Sequence, residues 1–273
     1  MRSMRALLIC LLSTGLLACQ TISEFTGRPS KTRLQQILDR GEIRVGLSGN
    51  QPPLNMRTKQ GEIVGLEVDL IKTLAHAMGL EVALVPKPFP ELLSALERNE
   101  VDLVISGMTI TPARNARVAF AGPYFISGKS VLSKSTELTN VESPAELDDA
   151  SRSYAALASS TSQDFVEREL SHAKLVATPD LDTAVQLVLD DEVDALIADY
   201  PICMLSVLRH PEAGLSCLLT PFTIEPLGIA LPADDPLFVN LVDNYLGTLA
   251  DAAMLARFRV KWFSDGSWVS DLP

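Results

Sequence analysis

The sequence predicts an α/β protein built from parallel-strand units, and three observations carry that expectation. Strand-like and helix-like segments alternate between residues 42 and 106, the pattern of a parallel sheet with crossover helices. One motif occurs twice. Residues 96–106 read LERNEVDLVIS and residues 188–198 read VLDDEVDALIA, each the end of a helical stretch, an acidic Glu-Val-Asp turn and a short apolar strand. Finally, a chain of 273 residues that is 47% hydrophobic and only 5% aromatic can bury a full core as one large or two small domains and is not disordered. Its formal net charge of −11 repels phosphate, which argues against a nucleic-acid partner.

In chain order, residues 1–18 read as a secretory signal. Arg2 and Arg5 precede the apolar run Ala6 to Ala18, which is too short to span a bilayer comfortably. Leu16-Leu17-Ala18-Cys19 resembles the lipobox of bacterial lipoproteins, which would make Cys19 the lipidated first residue; the alternative is an ordinary cleaved signal with an incidental Cys. In Gram-negative lipoproteins a residue other than Asp after that Cys, here Gln20, implies outer-membrane sorting. Residues 19–32, polar and holding Gly27, Pro29 and Ser30, read as a flexible tether.

Lys31 to Arg40 has helical spacing of Leu34, Ile37 and Leu38, and Glu42 to Leu47 alternates as a strand. The prolines of Ser48-Gly49-Asn50-Gln51-Pro52-Pro53 end that strand in a loop. Leu66 to Met78 is a helix stopped by Gly79. Glu81 to Val85 is a strand, Pro90 to Arg98 a helix and Val101 to Ser106 a strand. Thr111-Pro112 is a helix start, with Arg114 in its first turn. Tyr154 to Ala158 is a strand and Gln163 to Leu170 a helix, before which Thr161 and Asp164 read as a capping box. Leu181 to Leu189 is a helix, Val193 to Ile197 a strand and Gly228 to Leu231 another. Asn240 to Leu255 is a long helix, and the aromatics of Phe258 to Trp268 read as core.

The residues after the two repeated strands differ. Gly107-Met108-Thr109-Ile110-Thr111-Pro112-Ala113-Arg114 follows the first and Asp199-Tyr200-Pro201 the second. Ligands of open α/β sheets bind outside the carboxyl ends of the strands. In two lobes facing each other, one strand end would offer hydroxyls and a cation and the other an anion, a pair suited to a zwitterion. Free N–H groups at the helix start and a two-pronged guanidinium favour a carboxylate at Arg114; a solvated helix Arg is the alternative, and Arg117, one turn on, would then be the surface residue.

His76, His172 and His210 are scattered, and no Cys/His spacing suggests a metal site, so neither metal nor cofactor is expected. Cys203 and Cys217 remain beside the two N-terminal cysteines. An exported compartment permits a bridge between them, the alternative being two buried thiols.

Gly65-Leu66-Glu67-Val68-Asp69-Leu70, with Leu74-Ala75 and Met78, resembles the signature of family 3 of the bacterial extracellular solute-binding proteins. The likeness continues through Val101 to Thr111, Arg114 and Phe120-Ala121-Gly122-Pro123-Tyr124, and covers about residues 33–265. It implies a two-lobed periplasmic binding protein fold of type II. Each lobe would be a mostly parallel sheet flanked by helices, with residues 33–126 plus 222–273 in the first, 127–221 in the second and the ligand cleft between them. The resemblance implies that Arg114 binds a ligand α-carboxylate, and that Thr109 and the backbone of Gly107 help receive carboxylate and ammonium. Thr161 would cap that carboxylate from the second lobe beside Ser162, and Asp199 would bind the α-ammonium. Gln51 stands where the family often has an aromatic lid, Phe89 where an apolar residue meets the ligand, and Ser159 where a Gly is usual. The implied function is capture of an amino acid or similar zwitterion for an ABC importer, by a monomer held to the membrane only through its lipid.

Two other readings resemble this family. Periplasmic cyclohexadienyl dehydratases are similar, including the opening Arg33-Leu34-Gln35-Gln36-Ile37-Leu38, but their pattern carries an acid three residues after the strand-end Asp, where this chain has Ile202. Proton transfer needs a titratable group in reach, so no enzyme activity is expected. The regulatory lobes of lytic transglycosylases are also similar, but wall cleavage is not expected of a chain that stops at Pro273. A sensing lipoprotein that feeds no importer is a third reading.

Overall fold

The computed structural model describes residues 31–272; the signal, Cys19 and most of the tether lie outside the described residues. The first lobe begins with strands β1 (Glu42–Leu47), β2 (Asn50–Gln51), β3 (Asn55–Arg57), β4 (Ile63–Val64), β5 (Glu81–Pro86), β6 (Leu103–Val104) and β7 (Ala119–Ser127). The chain then builds β8 (Lys129–Ser133), β9 (Ser153–Leu157), β10 (Lys174–Thr178), β11 (Ala195–Asp199) and β12 (Ser216–Cys217), and returns with β13 (Glu225–Leu231). Two five-stranded sheets result, ordered β5-β1-β6-β13-β7 and β10-β9-β11-β8-β12, with β2-β3-β4 as a small third sheet.

Both large sheets are mixed. In each, three parallel strands (β5, β1, β6 and β10, β9, β11) are followed by antiparallel partners. This is the two-lobed α/β binding-protein fold, with helices flanking the sheets. No helix of the described residues is long and apolar enough to cross a membrane.

The helices begin where capping chemistry permits. Thr32 and Gln35 form a capping box for Arg33–Arg40, and the left-handed Gly41 closes it. Leu66–Met78 ends on the left-handed Gly79. The last long helix starts at Pro236, four residues before its hydrophobic spacing announces it, because Asp235 caps Phe238 N at 3.1 Å and proline suits the first turn. The other Asp235 oxygen takes Leu34 N at 2.8 Å, joining the first and last helices of the lobe. That long helix stops at Asp251, and the left-handed Ala253 separates it from Met254–Arg259.

Behind the first sheet, Ile43, Val45, Leu70, Leu74, Phe238 and Val242 form one core. In the second lobe Val131, Tyr154, Phe165, Val166 and Ile197 form another. Of the closing aromatics, Trp262 is buried, whereas Phe263 stacks on Phe125 at the surface.

The chain crosses between lobes twice, at Ser127-Gly128-Lys129 and between β12 and β13, and the crossovers touch. Glu225 pairs with Ser127, Phe222 N donates to Lys129 O at 2.9 Å, and Lys129 N donates to Thr223 Oγ1 at 3.0 Å. A Cβ on Gly128 would lie 2.2 Å from Thr223 O, so only glycine permits this approach.

Two expectations are corrected. Cys203 and Cys217 are free, buried thiols rather than a bridge. Each sulfur has its own neighbour: Cys203 points to Ala198 O, and Cys217 lies 3.1 Å from Met204 Sδ. Burial pushes both thiols above their ordinary pKa. The helix after β9 starts at Thr161, and its cap is Ser160, whose hydroxyl receives Ser162 N and Gln163 N. Thr161 is therefore not the cap, and its own hydroxyl is released to face the other lobe.

Candidate functional site

Between the lobes lies a narrow cleft lined by residues of both. All eight ligand-binding residues expected from sequence line it: Gln51, Phe89, Gly107, Thr109, Arg114, Thr161, Ser162 and Asp199. Sequence reasoning did not name Lys129, Leu157, Ser160 and Leu181 for the site, although they share the lining. Ile202 is also there.

The cationic end is built by a very short helix. Thr111 Oγ1 accepts from Arg114 N at 3.2 Å, which fixes the turn Pro112–Asn115. The Arg114 guanidinium donates to Thr109 O at 3.0 Å and, across the cleft, to Ser159 O at 3.2 Å. It also lies 5.7 Å from the Phe89 ring centroid, a cation–π distance. Burial lowers the Arg114 pKa, opposed by the charges of Asp164, Glu225 and Asp199, and a guanidinium so surrounded stays charged. Among the described residues no carboxylate lies within ion-pair distance of it. Arg117, by contrast, is on the surface and grips Glu97 at 2.7 Å.

Two hydroxyls meet across the lobes: Thr109 Oγ1 and Thr161 Oγ1 are 3.3 Å apart. Ser159, which stands where the resemblance expects glycine, has φ +59°, the left-handed conformation glycine adopts most readily. It aims its carbonyl at Arg114 nevertheless.

Gly107 is held by a buried acid. Its N–H donates to Glu67 Oε1 at 2.7 Å; Tyr124 OH donates to the same oxygen, and Asn55 Nδ2 donates to Oε2 at 2.6 Å. Burial raises the Glu67 pKa against the pull of these three donors. A Cβ on Gly107, at φ +57°, would stand 2.3 Å from Gln51 Oε1. The glycine thus lets the amide of Gln51 reach the cleft floor, where its Nε2 lies 3.5 Å from Ser106 Oγ.

The anionic end has a second occupant. Asp199 ends β11 and precedes the helix Tyr200–Arg209, yet its side chain makes no capping bond. It accepts instead from Lys129 Nζ at 2.5 Å, and Glu225 Oε2 lies 3.7 Å from the same nitrogen. Lys129 is 2% exposed. One sequence signal could have found it: a single cation between Gly128 and the apolar Val131-Leu132 needs a buried counter-charge. His76 and His172 are exposed and His210 half-buried, and none lines this cleft. No cluster of His, Cys, Asp and Glu among the described residues is arranged to hold a metal.

A model of the bacterial extracellular solute-binding proteins, family 3, matches residues 43–265. The chain is 26% identical over 267 residues to a cyclohexadienyl dehydratase of Pseudomonas aeruginosa, covering 98% of this chain and 97% of that protein. It is 25% identical to the L-cystine-binding protein TcyJ of Escherichia coli, over 95% of both. Among solved structures, the ancestral amino acid-binding protein AncCDT-1, described as a precursor of cyclohexadienyl dehydratase, superposes with a TM-score of 0.78 at 30% identity. That match covers 85% of this chain and 100% of the other.

Proposed function

We infer the function from one premise: the chain belongs to family 3 of the bacterial extracellular solute-binding proteins. The protein captures an amino acid or similar small zwitterion outside the cytoplasm by closure of two lobes about their paired crossovers, and passes it to an ABC importer. One observation carries this reading. An Arg114 without a carboxylate partner and Asp199 line the same cleft, each supplied by a different lobe at the end of the repeated strand.

In this reading Arg114 grips the α-carboxylate, aided by the hydroxyls of Thr109 and Thr161. Asp199 and the backbone of Gly107 receive the α-ammonium, while Gln51, Phe89 and Ser162 surround the side chain. Both poles are desolvated on closure, so each requires its partner. The amino-acid- and cystine-binding relatives support the ligand class.

The near full-length likeness to a dehydratase favours a second reading, as an enzyme. Against it stands Ile202, a buried aliphatic side chain in the cleft wall where that resemblance places an acid. We therefore assign binding without covalent chemistry. Incubation with prephenate or arogenate is expected to yield no aromatic product, and turnover would overturn the assignment. The protein would act as a monomer on the periplasmic face, held through lipid on Cys19, with the outer membrane favoured in a Gram-negative cell. An outer-membrane location without an associated permease would make it a sensor rather than a supplier, and fractionation distinguishes the two. A thermal-shift screen against amino acids, polyamines and small carboxylates tests the ligand class. A bound amino acid at a hundredfold excess over its Kd should add about 2.7 kcal/mol of stability, and a screen in which no amino acid stabilises the protein sinks the reading.

A further inference from the structure

Lys129 sits where a ligand's ammonium would be expected. Its backbone is fixed on both sides by the second crossover, through Thr223 Oγ1 and Phe222 N. Its side chain is 2% exposed, and what surface it keeps belongs to the lining of the cleft. Among the described residues its ammonium hydrogen-bonds Asp199 alone, and Glu225 at 3.7 Å is in ion-pair range but beyond a hydrogen bond.

The charges of the cleft are therefore unequal in what they ask of a ligand. Among the described residues the Arg114 guanidinium hydrogen-bonds only carbonyls, Thr109 O and Ser159 O, so a ligand carboxylate remains the missing counter-charge. Asp199 already faces a cation. A lysine ammonium carries three N–H donors and no acceptor. Beside it, an oxygen on the ligand finds a donor, whereas an ammonium meets a like charge offset by the second oxygen of Asp199 and by Glu225.

We propose that Lys129 sets the specificity of the cleft by holding, at Asp199, the place that an α-ammonium would take. Small carboxylic acids with an α-oxo or α-hydroxy group are then ligands alongside the corresponding amino acids. This rests on the reading that the cleft binds amino-acid-like carboxylates through Arg114. Lys129 is a specificity residue here, with no covalent step attached to it.

The test is calorimetry on the wild-type protein and on Lys129→Met and Lys129→Gln, with matched triplets as probes: alanine, lactate and pyruvate; leucine, 2-hydroxyisocaproate and 2-oxoisocaproate; glutamate, 2-hydroxyglutarate and 2-oxoglutarate. In wild type, the amino acid and its amine-free partners of the best-bound triplet should differ by less than about 10-fold. Removing one partner of a buried charge pair leaves the other to seek a new cation, so Lys129→Met should raise the preference for the amine by about 100-fold; Lys129→Gln should move it the same way. The proposal is overturned if wild type prefers the amino acid by more than about 100-fold, or if a folded variant leaves the ratio unchanged. If neither variant folds, the wild-type ratio decides alone. Binding of an amino acid with rejection of its analogues would defeat this proposal and leave the proposed function standing. Binding of the amine-free acids alone would break the expected parity and defeat the amino-acid reading as well, and silence from every triplet would defeat both.

Discussion

The two Glu-Val-Asp turns occupy equivalent places in the two lobes and serve one mechanical purpose with different electrostatics. Each follows a helix through a left-handed residue, Asn99 at φ +62° and Asp191 at φ +57°; Asn and Asp tolerate that conformation better than other side chains. In each, the Asp latches the neighbouring parallel strand. Asp102 N donates to Arg44 O while Arg44 N donates back to the Asp102 carboxylate, and Asp194 does the same with Ser153. The lesson lies in what surrounds the latch. Asp102 is fully buried and bonded by Arg33, Arg40 and Arg44, whereas Asp194 is exposed and shares its carboxylate with the Ser153 hydroxyl. A shared backbone role has been committed to ion pairing in one lobe and left to a neutral hydroxyl in the other.

That contrast yields predictions in descending size. Asp102→Ala leaves three arginines facing an empty site, one of them buried, and should cost about 3–5 kcal/mol of stability in urea denaturation. A loss below that of Asp194→Ala would erase the distinction between the latches. The strand ends beyond the latches should show as affinity rather than stability: Arg114→Ala is expected to weaken amino-acid binding by about 2–5 kcal/mol. Asp199→Asn should fall in the same range, and unchanged calorimetric affinity in either variant would remove that residue from the site. Asp194→Ala should cost about 1 kcal/mol, since water can replace an exposed acceptor.

Acid sharpens the comparison further. Burial pushes the Asp102 carboxyl up, but the hydrogen bonds and charge of Arg44, with Arg40, outweigh it and hold the pKa below the ordinary value. A lowered carboxyl pKa means stability present above the unfolded value of about 3.9 and lost as pH falls toward the folded one. Wild type should therefore lose more stability than Asp102→Asn between pH 5 and 3; parallel acid-denaturation curves for the two would contradict this.

Most of the architecture could be read from the sequence because periodicity and caps are local. Leu66–Met78 and Leu181–Leu189 have the bounds that their apolar spacing and Gly79 indicate, and the repeated strands point at one cleft. The contacts that depend on two distant segments were not legible. Nothing near Asp102 announces that Arg33, sixty-nine residues earlier, will reach it. Lys129 meets Asp199 and Glu225 only because the two crossovers lie side by side. Thr161 was a plausible cap on spacing alone; Ser160, one residue earlier, won because its hydroxyl reaches two N–H groups at once. The thiols of Cys203 and Cys217 likewise depended on how a helix face met an edge strand.

The place of β13 in its sheet carries a consequence for the order in which the protein is made. That strand lies between β6 and β7, yet it follows the whole second lobe in sequence. During synthesis or export the second lobe, one continuous stretch, is complete before the strand that joins β6 to β7 has emerged. A chain halted before Glu225 should therefore give a first lobe open to protease while the second is already protected. Pulse proteolysis of such a halted chain would read this directly, and equal cleavage of the two lobes would count against it.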